Sequence, residues 1–140
     1  MKTPDDLRAA IAAARDDLRH ALNEVDGRWE ANVEGSEGED LWTARSTAEH
    51  VISAETYFTT QVCVACGYPG LESSRLSFAS PAEALQALDE VAAKCDGRLK
   101  YVTETDLAMK HDMWGDVASI LSVAATHLHE HAAQIRTAAP

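Results

Sequence analysis

Apolar residues recur every three or four positions in four separate stretches of this chain, and strand-type alternation persists nowhere. Leu7, Ile11, Ala14, Leu18, Leu22 and Val25 make the first series. Val51, Ala54, Phe58, Val62 and Ala65 make the second. Ala84, Leu85, Leu88, Val91, Ala92, Cys95 and Leu99 make the third, and Val117, Ile120, Leu121, Ala124, Leu128, His131 and Ile135 the fourth. A helix turns ~100° per residue, so each series becomes one apolar stripe. Four stripes that must leave water are most simply buried against each other. The expected fold is all-α, a four-helix bundle of up-down type, with residues 1–140 as a single domain around one core.

Local signals mark the helix ends. Thr3 can cap the first helix, Pro4 suits its first position, and Asp5 and Asp6 oppose the helix dipole. Gly27 is the expected stop, and residues 26–41, rich in glycine and acids, read as a solvated loop. Trp42-Thr43 leads into the second helix, which Gly67 ends. Ser80-Pro81-Ala82-Glu83 carries the pattern of a capping box with proline at the first helical position. A connecting segment is expected from about Glu104 to Trp114, before the last helix.

The formal net charge of -11 argues against a protein that grips nucleic acid or anionic lipid, both of which call for a basic surface. No apolar run reaches the ~18–20 residues of a membrane span. No export signal is visible at Met1-Lys2-Thr3-Pro4, and three cysteines are too few for a disulfide scaffold, so a cytoplasmic protein is expected.

The chemistry concentrates in His127-Leu128-His129-Glu130-His131. His127 and His131 are four apart, ~40° from each other around a helix, and such a pair can chelate one metal ion. His129 lies ~200° from His127 and faces away. His127 continues the row of Ile120, and His131 that of Ala124, so both edge the buried stripe. His50 lies beside the stripe of the second helix. If the two helices face each other, three imidazoles converge, the pattern of an open, catalytic metal site. Imidazole suits Zn, Ni, Cu and Fe(II) alike. Taken singly, the pair also reads as exposed polar surface, and His50 as a partly buried, hydrogen-bonded histidine.

Two blocks carry a family resemblance. Trp42-Thr43-Ala44-Arg45-Ser46-Thr47-Ala48-Glu49-His50 through Glu55, and Leu121 through His127, His131, Gln134 and Ile135, resemble the DinB/YfiT-like superfamily of four-helix bundles. Ser46 departs from the pattern, which commonly has an acid there, whereas Asp106 resembles a recurring feature. The resemblance implies that His50, His127 and His131 are the metal triad and that one divalent transition metal (Zn, Ni or Fe) is the cofactor. Similar members include thiol-dependent transferases and isomerases, metal-dependent hydrolases, and stress-induced proteins. The resemblance thus implies a metal-dependent enzyme acting on a small molecule, with a low-molecular-weight thiol as a further cofactor. The alternative is a non-catalytic metal-binding stress-response or interaction protein. A homodimer would suit a small bundle.

Other residues carry weaker signals. Cys63-Val64-Ala65-Cys66 sits at a helix C-terminus, where the dipole opposes a reactive thiolate, and reads as core or incidental surface. Glu55 is ~140° around the helix from His50 and reads as a surface or interhelical ion pair or, through a neighbouring helix, as a partner to a ligating ring. Gln134 is placed at the pocket rim. Trp29, Trp42 and Trp114 read as core or helix-start anchors, with Trp42 and Tyr57 as alternative pocket walls. His20 and His111 read as surface, His111 with an outside chance of touching the pocket.

Overall fold

The computed structural model describes residues 2–35 and 41–139. The expectation of a solvated acidic loop at Glu37, Glu39 and Asp40 lies outside the described residues. The rest is mostly helical: α1 (Pro4–Val25), α2 (Ala44–Cys66), α3 (Pro81–Leu99), α4 (Glu104–Leu107) and α5 (Val117–Arg136). A short 3-10 turn, Asp26–Arg28, follows α1. A two-residue antiparallel pair, β1 (Lys110–His111) with β2 (Gly115–Asp116), precedes α5.

The caps are those the residues dictate, with three differences. Thr3 with Asp6, and Thr43 with Ser46, close reciprocal capping boxes. Ser46 accepts from Thr43 N at 2.9 Å, the reciprocal bond of the box. At α3 Ser80 accepts from Glu83 N, but Glu83 reaches past the cap to Ala79 N, so the expected box is only half formed. The break after α1 falls on Asp26, with φ 32°, not on Gly27. The segment read as a plain connection holds α4, capped by Thr103 and Asp106, and the small hairpin.

Cross-links between the long helices give their directions. Arg8 donates to Leu99 O and Val102 O, Arg15 pairs with Asp96 and Arg19 with Asp89, so α1 and α3 are antiparallel. His50 meets His127 while Tyr57 meets Trp114, so α2 and α5 are antiparallel. Asp17 meets His129 and Arg136, whereas Arg28, in the turn just after α1, reaches the carbonyl of Ala138, so α1 and α5 run in the same direction.

The helices therefore do not simply alternate in direction along the chain, as an up-down order implies. α2 and α3 run the same way, because residues 67–80 return along the whole of α2. Thr60 holds Leu71 N, Glu49 holds Phe78 N and Arg45 holds Ser77 in that order. An extended chain covers more than twice the distance per residue of a helix, so this stretch suffices for the return.

The stripes meet in one core. Leu7, Leu18, Leu22, Ile52, Leu88, Ile120, Leu128 and Ile135 are its largest fully buried side chains. Trp29 is buried beside them and donates to Phe78 O at 3.1 Å, which ties the returning segment to the turn after α1. Among the described residues, no helix is long and apolar enough to cross a membrane.

Candidate metal centre

α2 and α5 face each other, and the three histidines singled out by helical phase come together between them. His50 Nε2 lies 3.2 Å from His127 Nε2, and His131 Nε2 lies 3.0 Å from the same atom. The ring centroids are 4.3–5.0 Å apart, all edge to face. Two ligands at the usual ~2.0–2.1 Å from one ion stand roughly 2.9–3.4 Å apart, so the spacing suits a shared metal. Among the described residues these three form the group whose donor atoms can meet on one ion, all within 4.8 Å of each other.

The proton positions support the same conclusion. His131 Nδ1 lies 2.9 Å from Gln134 Oε1, which can only accept, so Nδ1 carries the hydrogen and Nε2 presents a lone pair. Gln134 is oriented in turn: its Nε2 donates to Glu34 O at 3.2 Å. A ring fixed through its outer nitrogen is how proteins prepare a histidine for a metal. His127 Nε2 then faces two other ring nitrogens, and one proton cannot serve both contacts. Three nitrogens gathered in this way could hold a metal ion.

Burial, then the charge of His131 and of His50, pushes His127 down to about 4, and burial followed by His131 lowers His50. Neutral imidazole is the ligating form.

The surroundings are built by sequence-distant segments. Residues 29–33 pair with 42–45 through Val33 N to Trp42 O, Ala44 N to Ala31 O and Arg45 N to Trp29 O. This seats Trp42 edge-on to His50, with centroids 5.2 Å apart. On the other side a cleft of ≈ 450 Å³ is lined by His50, Ser53, Ala54, Tyr57, Phe58, Trp114, Val123 and His127. Of the two pocket walls weighed from sequence, Tyr57 lines this cleft whereas Trp42 packs on a ligand ring; the other wall is Trp114, which was expected only as a core or helix-start anchor.

The remaining candidates fall elsewhere. His129 points to α1 and bonds Asp17 Oδ2 at 2.8 Å, as its phase requires. Glu55 faces the opposite seam and pairs with Arg15 at 2.6 Å, so it is an interhelical ion pair and touches no ligand ring. Cys63 is buried and Cys66 half-buried, both as free thiols; burial raises both, Cys66 to about 11, which leaves them poor nucleophiles. His20 is exposed. His111 was expected at the surface but is half-buried: it bonds Gln61 Oε1 at 2.7 Å and accepts from Met113 N and Trp114 N, which holds the hairpin in shape. No periodicity marks that role, because it depends on a turn that bends back to its own histidine.

Compared with family models, curated proteins and solved structures, the chain finds no match.

Proposed function

We propose that this chain is a DinB-like four-helix bundle protein that holds one divalent transition metal through His50, His127 and His131 and acts as a metal-dependent enzyme on a small molecule. The observation that carries the reading is the convergence of three imidazole nitrogens, one of them held as a lone pair by Gln134. Among the described residues no carboxylate or thiol joins the three, so three protein ligands would leave coordination positions open, the mark of a catalytic rather than a sealed site. Zn, Ni or Fe(II) bound there lowers the pKa of a water or thiol that it binds. Transfer to or from a low-molecular-weight thiol, isomerisation, or hydrolysis are the reaction types that follow from the resemblance and from such chemistry.

Direct analysis of untagged protein tests the site. After incubation with Zn²⁺ or Ni²⁺ and gel filtration, about one ion per chain is expected, and far less in His127→Ala. Below ~0.2 equivalents in the parent would sink the triad, since a genuine site fills to one. S-transfer and amide-hydrolysis assays, run beside His127→Ala, then test turnover; equal rates in the two proteins reject metal catalysis.

One observation favours a second reading, a metal-binding stress-response or interaction protein without turnover. Among the described residues, the cleft beside the histidines is lined by no acidic or lysine side chain that would act as a general base. Full metal occupancy with no activity on either substrate class would support it.

A further inference from the structure

The cleft next to His127 has a composition that selects its occupant. Tyr57, Phe58 and Trp114 stand edge to face, with ring centroids 5.3–6.3 Å apart, and Phe58 packs 5.5 Å from His127 itself. The polar atoms of this wall are spent on each other. Trp114 Nε1 donates to the Tyr57 hydroxyl at 3.1 Å, and that hydroxyl reaches Met113 Sδ at 3.9 Å. What the wall offers is ring faces and edges, continued by Ala54 and Val123. Among the described residues no acidic, lysine or arginine side chain lines the cleft; apart from the paired Tyr57 and Trp114 its polar groups are the Ser53 hydroxyl and the two histidines at the metal end. Its volume, ≈ 450 Å³, is in the range of small-molecule sites. The wall is also braced from behind, because His111 pins the hairpin that carries Trp114 to Gln61 on α2.

We propose that this cleft takes a planar, uncharged aromatic group, and that the substrate therefore carries such a ring within a few bonds of the atom that meets the metal. Edge-to-face aromatic walls favour another ring over a flexible chain of equal size. A charged or strongly polar tail finds no partner there and would lose its hydration uncompensated. The inference rests on the metal reading, which supplies the anchor for the other end of the substrate.

The test uses two chelating probes on the zinc-loaded full chain, acetohydroxamic and benzohydroxamic acid, which share a metal-binding head and differ by methyl against phenyl. Calorimetry should find the phenyl compound at least about tenfold tighter, as burying a ring's surface commonly gives. That ratio should fall toward one in Trp114→Ala, which removes the wall. It should also fall in Ala54→Leu, which fills the cleft from a helix-favouring position and guards against a hairpin that fails to form. A ratio near one in the metal-loaded parent overturns the aromatic pocket. So does a preference that survives both variants, which would place the ring elsewhere. Absence of bound zinc would instead overturn the metal reading, and this inference with it; the metal content measured on each sample tells the two failures apart.

Discussion

What a histidine does is decided by its outer nitrogen. His131 is bound to Gln134 through Nδ1, and Gln134 is tied to Glu34 O, so in the neutral ring this contact favours the tautomer whose inner nitrogen presents its lone pair. Replacing the amide by a leucine of similar bulk removes that constraint but leaves all three ligands. Gln134→Leu should weaken zinc binding by ~10–100-fold with unchanged stoichiometry, the usual cost of losing such a partner. Competition against a chromophoric chelator measures this, and an unaltered affinity would mean that the amide only packs. Gln134 was visible in the sequence as a rim residue three after His131, but its hydrogen bond was not. The i, i+3 spacing places two side chains on one face; the amide is held in its bonding orientation by the backbone of Glu34, a hundred residues away.

At the scale of the helix, α2 serves two seams at once. His50 faces α5, and Glu55, five residues on, faces α1, where it meets Arg15 with both side chains 5% exposed. Arg15 Nη1 also reaches Asp96 at 2.8 Å, so one guanidinium joins α1, α2 and α3. Among the described residues, Arg15 Nη2 and Glu55 Oε2 have no hydrogen-bond partner. Burial pushes the Glu55 carboxyl up against the pull of Arg15. Such a pair is a poor source of net stability, but breaking it from one side is expensive. Arg15→Leu should cost about 3–5 kcal/mol at pH 7, because it strands a carboxylate in the core. Without its partner Glu55 should protonate in the fold well before it does in the unfolded chain. Its raised folded pKa means that stability is regained as pH falls. The urea midpoint of Arg15→Leu should therefore approach that of the parent as the pH is lowered. A gap that stays constant would show that Glu55 does not take up a proton.

For the whole molecule, a bound ion would act as a clamp between α2 and α5, helices otherwise joined there by packing. A ligand that binds only the folded state stabilises it by about 2.7 kcal/mol at one hundred times its dissociation constant. Zinc should accordingly raise the melting temperature of the parent at pH 7.5 and leave His127→Ala unmoved. The metal-free protein should show the opposite side of the same chemistry. His127 is held at about 4, against an ordinary value of 6.5, and His50 shifts in the same direction. The unfolded chain thus takes up protons first as pH falls. Stability should be full above about pH 6.5 and decline toward pH 4, with a shallower decline in His127→Ala. Chemical denaturation across that range checks the sign; a stability that rises on acidification would contradict it.

The sequence by itself determined the four long helices, most of their ends, and the phase that puts His127 and His131 on one edge with His129 turned away. These are local matters: period, caps and breakers act within a few residues. It also pointed to His50, through the separate Trp42-to-Glu55 block and the resemblance it carries rather than through any visible contact. Only the tertiary structure decided which helices touch, that α2 and α3 run the same way, that Glu55 joins Arg15 instead of a ligand, and that Trp114 and Tyr57 wall the cleft. Those outcomes depend on how stripes from distant segments fit together and on where the long return along α2 places them. Helical periodicity records which face is buried, and it carries no information about what buries it.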